Sequence, residues 1–557
     1  MACSSSSRFA LVFTYISAVL LGLAQQTAAA RTKSNPLLTP SWARAHEREE
    51  SRGLSESLKE AFGGEHREAM HARVETLRVK LQPLFASLPK NAYGRLEDAT
   101  ARFGLHRYFV REYAAYVKGL EPVGGAWKAS PIASLEARVP AHIKGQFQKH
   151  VEKHGYELLE FASLGAMLEL LIHRDAVAWL EDAYMAAGHG TKDSISLARF
   201  DFVLDVFTWL FLGKPAHPAA WSMEEIIQDV SLYFPDWPLF QAHMREAKSQ
   251  VLAKLHKAKE LNFADAMRVV GVFVDGLGKV QESQCNALTD SLIGMEVANS
   301  GRVKLSDFYS KGHLYNERPE LLLEMGALDP TSDGYKRKEP RVIIPNYVTS
   351  ASNCITTSKF FAICCPDACD GLMSQLEREI AAPLASPEKI LKLATRMSSR
   401  TQPERSELPA YLRSRIYDIS DRHDGMVPLH GRLFAQWMHH AFPHECVFPS
   451  RPGNVSRQSL GQMFNSLGPE TLFSLEEQAR FINTIKDRDL EGGSLEDTLP
   501  WLSEESIFAH VKSKDIFEEL ALVGRAVAFL ASLTAVVHTM VGSISPAVRG
   551  ATAAKLI

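Results

Sequence analysis

Histidine, carboxylate and cysteine side chains crowd one stretch of this chain. Asp418 to Cys446 reads DISDRHDGMVPLHGRLFAQWMHHAFPHEC and carries His423, His430, His439, His440 and His444 together with Asp421, Asp424 and Glu445. Imidazoles and carboxylates at this density suit zinc or iron, and an ion held there would activate water for hydrolysis or oxidation. The candidate ligands are His439, His440, His444 and Glu445. His440 and His444 are spaced to share one helical face, but Pro443 falls between them and is expected to end the helix. The competing reading makes these histidines hydrogen-bonding groups around a disulfide.

The cysteines offer a second chemistry. Of seven, Cys3 lies in the first residues and six follow: Cys285, Cys354, Cys364, Cys365, Cys369 and Cys446. Neighbours Cys364 and Cys365 are awkward to pair with each other, so each is expected to reach elsewhere, with the connectivity left open. Cys369 precedes Asp370 and a helical stripe of Leu372, Leu376 and Ile380. A free thiol at that helix N-terminus would gain thiolate character, the basis for a thiol-disulfide redox reading. No C-x-x-C accompanies it, and clustered cysteines in a secreted chain are mostly structural, so three disulfides are the expectation.

Two further patterns are weaker. EVANSGRVKLSD, Glu296 to Asp307, resembles an EF-hand loop in its central Gly301, the apolar Val303 and the closing acid. Ala298 and Ser300 stand where ligands belong, Lys304 adds positive charge, and the last acid is Asp rather than Glu, so calcium binding is not expected. Glu169 and His173 lie one turn apart and suit half of a helical-bundle metal site, or, as the expected alternative, a buried Glu-His hydrogen bond. G-x-S-x-G, Walker and dinucleotide-binding signatures are absent, which argues against the common hydrolases, nucleotidases and dehydrogenases.

The elements that position these groups read as helices. Met70, Val74, Leu77, Leu81 and Leu84 repeat at steps of four and three, and Leu158 to Ile172 and Phe200 to Leu212 are apolar on nearly every face, as central helices are. Ser222 with Glu225 and Ser474 with Glu477 have the spacing of capping boxes, and Ser386-Pro387-Glu388 is a helix start. Strand signals are confined to Arg341 to Pro345 and Tyr347 to Thr349. The expected fold is all-α, with a disulfide-clamped, partly irregular second domain and a C-terminal transmembrane helix. Turn formers and charges at 329–340 divide a helical domain, 66–328, from a Cys/His-rich helical domain, 341–448. Residues 449–519 then read as a stalk with short helices, bearing a glycosylation sequon at Asn454.

The two ends give the chain an address. Arg8, the apolar run Phe9 to Leu23 and the alanines before Arg31 have the build of a secretory signal peptide, 1–30, followed by a flexible leader, 31–65. Residues 526–544, AVAFLASLTAVVHTMVGSI, are long enough at about 1.5 Å per residue to cross roughly 30 Å of hydrocarbon. Arg525, Arg549 and Lys555 bias the short tail, 545–557, towards the cytoplasm, giving a single-pass type I protein of the plasma membrane or endomembranes. Secretion is one alternative. A complex plastid is the other, because Arg31 to Ala45 is basic and free of acids. With 62 basic against 65 acidic residues there is no nucleic-acid footprint.

GLHRYFVREYAAYVKGLEP (Gly104 to Pro122), the Cys354 to Cys369 run and LHGRLFAQWMHHAFPHEC (Leu429 to Cys446) together resemble a family of secreted or membrane-anchored microalgal proteins to which no activity is attached. The resemblance implies a location and gives no residue a role. The expectation is thus an extracytoplasmic, membrane-anchored binding protein for a protein or glycan ligand. A metal-dependent hydrolase or oxidase using the His423 to His444 cluster, and a thiol-disulfide redox protein, are the alternatives.

Overall fold

The computed structural model describes residues 67–117, 120, 155–212, 222–233, 236–254, 260–296, 299–311, 315–329, 340–356, 361–404, 407–449, 472–486 and 499–505. All belong to one compact unit, Met1–Ala509. The signal and leader segments, Asn454, the apolar segment 526–544 and the tail lie outside the described residues. Among those described, no helix is long and apolar enough to cross a membrane.

The first core is a helical stack. Helix α1 (Arg67–Ser87) buries Leu77, Leu81 and Leu84, the stripe its spacing predicts. Helix α2 (Asp98–Tyr113) leads into strand β1 (Ala115–Val117). The two apolar runs form α3 (Leu158–Ala186) and, after β2 (Ile195–Ser196), α4 (Leu197–Phe211), with Phe161, Leu164, Phe200, Phe207 and Phe211 buried between them and their neighbours. Helices α5 (Met223–Tyr233) and α6 (Trp237–Leu252) and strand β3 (Glu260–Leu261) precede α7 (Phe263–Ile293), a 31-residue helix packed on α2, α3 and α6. Gly278 lets α7 approach α2: a Cβ there would stand 2.8 Å from the Glu112 carbonyl oxygen.

Shorter elements follow: β4 (Arg302–Lys304), α8 (Leu305–Tyr309), α9 (Pro319–Glu324), β5 (Arg341–Ile343), α10 (Ile344–Val348), β6 (Ile355–Thr356) and β7 (Phe361–Ile363). The histidine-rich lobe comprises α11 (Cys369–Ile380), β8 (Leu384–Ala385), α12 (Pro387–Arg396), α13 (Ala410–Asp421), β9 (Val427–Pro428) and α14 (Arg432–Ala441), and α15 (Leu475–Lys486) comes last. Tyr347 to Thr349, expected to be extended, instead completes α10 and its cap. Pro345 sits in that helix's first turn, where a missing N–H costs nothing. Both expected capping boxes are present, with Ser222 and Ser474 amides donating to Glu225 and Glu477 at 2.7 and 2.8 Å. Ser386 caps α12 by accepting from the Lys389 amide.

One arrangement recurs. Leu96 bridges Tyr156, Ile195 pairs with Leu261, Val303 with Val342, and Ala385 with Val427, all antiparallel and all buried. Seven of these eight residues stand two places before a helix start, at Asp98, Leu158, Leu197, Phe263, Leu305, Ile344 and Pro387. Each pairing thus ties two loops together by an apolar residue from each, and seven of the eight loop residues lead directly into a helix. Glu296 to Asp307, the stretch that resembles an EF-hand loop in sequence, contributes Val303 to one of these pairings, and Gly301 takes the left-handed conformation at φ 68°.

Covalent bonds join what the sequence separates. Cys285 pairs with Cys365, Cys354 with Cys364 and Cys369 with Cys446, so the two adjacent cysteines do reach different partners. Strand β1 pairs with β7, which pairs with β6, a three-stranded sheet drawn from both sides of 329–340. Within 449–519, α15 packs on α8, with Phe473 and Phe481 against Tyr309 and Glu477 on Arg318 at 2.7 Å.

Candidate functional site

Helix α14 presents its histidines in different directions. His439 is buried, and its Nδ1–H donates to the Cys446 carbonyl at 2.7 Å. Burial pushes its pKa down to about 3, with the carbonyl bond opposing, so the ring is neutral. His440, one residue on, lies beside Trp501 and Phe448, and burial followed by the charges of Arg302 and Arg415 lowers it to about 4. The helix ends at Ala441, before Pro443, as the proline requires.

Beyond that turn the chain docks on the Glu296 loop. His444 Nε2 stands 2.9 Å from Glu296 Oε2, the same oxygen that accepts the Gly301 amide at 3.0 Å. On its other side Nδ1 lies 3.2 Å from Thr401 Oγ1. Glu445 shares Thr401 with His444: its Oε1 accepts the Thr401 hydroxyl at 2.6 Å and amide at 3.2 Å. The other Glu445 oxygen is buried without a described partner, and no donor set converges on it. Gly301 is required here, because a Cβ would lie 2.5 Å from the Pro443 carbonyl oxygen.

The remaining histidines have separate surroundings. His430 is buried near Ser87 and Glu377, and desolvation lowers its pKa to about 3. This is a Ser-His-Glu grouping that the sequence does not reveal, yet it is not a nucleophilic triad. Hydroxyl and carboxylate both face Nε2, at 3.4 and 3.6 Å, whereas a triad uses the two ring nitrogens separately. The Ser87 hydroxyl is fully buried and donates to the Leu84 carbonyl. His423 pairs with Glu505 at 3.0 Å. Asp421 and Asp424 are exposed.

The proposed metal ligands His439, His440, His444 and Glu445 therefore do not converge. Among the described residues no group of three or more His, Cys, Asp or Glu side chains is arranged to hold a metal ion. The physical reason is the helix end: His439 and His440 lie about 100° apart around α14, and the Pro443 turn carries His444 and Glu445 to other partners. Glu169 is also engaged differently from expectation. It accepts Tyr108 and Tyr113 hydroxyls at 2.7 and 2.9 Å and an Arg73 fork at 2.6 and 2.8 Å, while His173 faces Asp275 at 3.3 Å. Cys369, the candidate thiolate, is consumed in its bond to Cys446.

Two features escaped sequence reasoning. Arg107 on α2 ion-pairs with Asp370 and Glu377 on α11, joining the helical stack to the histidine-rich lobe. Burial raises the Glu377 pKa, opposed by the Arg107 charge. The second is the segment Leu499 to Glu505, which sits against α13 and α14. Gln436, fully buried, gives and takes a hydrogen bond with the main chain of Leu502, at 2.8 and 2.9 Å. A tryptophan and two leucines in an otherwise polar stretch, LPWLSEE, were the available signal. Compared with known proteins, the chain matches no family model, no curated protein and no solved structure.

Proposed function

We propose that this chain is an extracytoplasmic, membrane-anchored protein that acts by binding a protein or glycan rather than by catalysis. The observation that carries the reading is the pairing of Cys285, Cys354, Cys364, Cys365, Cys369 and Cys446 into three disulfides, which favours an oxidising compartment. The signal-like 1–30, the apolar 526–544 and the resemblance to secreted or anchored microalgal proteins support the same address. The histidine cluster lends no support to a metal enzyme, because among the described residues no three of its His, Asp or Glu side chains are arranged to hold an ion.

Topology tests the reading. The full chain expressed in a cell with a secretory pathway should carry an endoglycosidase-sensitive glycan that Asn454→Gln removes. Protease added to the lumenal or outer face should digest all but a short anchored fragment. An unglycosylated chain wholly protected from that protease would overturn the proposal.

A further inference from the structure

Seven residues near the C-terminal end of the described chain are held as a peptide is held by a receptor. Leu502 is read through its main chain: its amide donates to Gln436 Oε1 at 2.9 Å and its carbonyl accepts from Gln436 Nε2 at 2.8 Å. Arg422 donates to the Ser503 carbonyl at 2.7 Å, and Arg432 to the Glu504 carbonyl at 3.0 Å. Three consecutive residues are thus bound through atoms that every sequence possesses.

Side chains select at the flanks. Trp501 packs on the lobe core, with the Arg415 guanidinium 5.1 Å from its ring centre and the His440 ring beside it. Leu499 and Leu502 join Ile343 and Phe448 in a small apolar cluster. Glu505 accepts the Leu433 amide at 3.1 Å through one oxygen and meets His423 through the other. Gly431 keeps that approach open, since a Cβ there would come within 3.2 Å of the Glu505 carboxylate. Arg415, Arg422, Arg432 and His423 face a segment whose own charges are Glu504 and Glu505, so the surfaces are complementary.

Gln436 and Arg432 are both fully buried, although both are strongly polar. Buried side chains of this kind are retained where their hydrogen bonds are met, and here main-chain groups meet them: Leu502 for Gln436, and the Glu504 and Pro449 carbonyls, at 3.0 and 3.2 Å, for Arg432. We propose that the α13–α14 face is a peptide-recognition site for an extended partner segment of the form aromatic, aliphatic, any, any, acid, and that residues 499–505 occupy it as a resident ligand in cis. The site deepens the binding reading by naming a protein ligand, and it rests on that reading. A covalently attached ligand acts at an effective concentration on the order of millimolar, so the intact chain excludes a partner that competes only weakly. Weakening the resident segment opens the site.

The test uses the full purified chain and a fluorescent synthetic peptide of sequence LPWLSEE, read by anisotropy. Trp501→Ala with Glu505→Gln weakens the resident segment only; this variant should bind the peptide about tenfold or more tighter than the unaltered chain. A scrambled peptide should not bind, and adding Gln436→Ala should abolish the gain. Glu505→Gln alone should give the same order with a smaller gain, and serves if the double variant does not fold. Failure of the peptide to bind a folded, strap-weakened variant overturns the site. So does equal binding of the scrambled peptide or indifference to Gln436→Ala. No membrane enters the assay, so its failure leaves the topology result standing, and a failed topology test leaves peptide binding standing.

Discussion

The His444 imidazole and the Glu296 carboxylate meet at 2.9 Å across 148 residues of chain, on a loop that resembles a calcium-binding loop in outline. Glu296 is the first residue of that loop, and its Oε2 already receives an amide hydrogen from Gly301. Arg302 within the loop is buried and paired with Asp329 at 2.7 Å. Protein groups thus close the loop that an ion closes elsewhere.

Calcium at millimolar concentration should therefore leave the melting temperature unchanged. His444→Ala should destabilise the chain by about 1–3 kcal/mol, because it strips a buried carboxylate of a partner. Thermal melts with and without calcium check both statements. A saturable rise in melting temperature with calcium would show that the loop still takes an ion.

Arg107 holds the helical stack and the histidine-rich lobe together through Asp370 and Glu377. Arg107→Met removes the nearest counter-charge from two buried carboxylates and leaves only Arg111, 3.9 Å from Asp370; removing one partner of a buried ion pair costs about 3–5 kcal/mol. Urea unfolding should show that loss, with partial recovery when Glu377→Gln is combined with it. An unchanged midpoint would mean that the lobe is held by its disulfides and apolar contacts alone.

Much of the helical stack was legible in the sequence, and the reason is local. Leu158 to Ile172 and Phe200 to Leu212 are apolar on nearly every face, as central helices are, and the Ser222 and Ser474 capping boxes are complete within four residues. The three-residue strands β1 and β7 were not legible, because each is too short for an alternating pattern and its partner lies far along the chain. The histidine cluster was legible as a density, and it carried two readings, a metal site or hydrogen-bonding histidines around a disulfide, between which the local sequence could not choose. Closeness in sequence placed His439, His440 and His444 together, while a helix surface and one proline turn sent them to Cys446, Trp501 and Glu296. Gln436 carried no local signal, since its partner is the main chain of Leu502.

Acid should weaken the fold through its buried histidines. His430 and His439 are driven to about 3 by burial, below the ordinary value near 6.5. Between those values the unfolded chain binds protons that the folded chain refuses, so stability is full above about pH 6.5 and falls as pH drops towards 3. The slope approaches one proton per histidine, about 1.4 kcal/mol per pH unit for each. His439→Asn keeps a donor for the Cys446 carbonyl and removes the titration, so unfolding free energies measured from pH 7 to 4.5 should show a shallower slope for it. Equal slopes would place the acid sensitivity elsewhere.

The Cys285–Cys365 bond closes a loop of 80 residues between α7 and the segment after β7. Replacing both cysteines with alanine should cost about 2–5 kcal/mol, and the loss should match that caused by a reductant selective for this bond. Differential scanning calorimetry of the double variant tests this. No loss would mean that strand pairing of β1 with β7 already fixes the same geometry.

The state of the cysteines in the living cell tests the account most directly. Thiols would be blocked in intact cells before lysis, and the chain digested without reduction and mapped by mass spectrometry. The account predicts cross-linked peptides joining Cys285 to Cys365, Cys354 to Cys364 and Cys369 to Cys446, with no blocked thiol at these six positions. Six blocked thiols and no cross-links would contradict an extracytoplasmic protein and return the chain to a reducing compartment.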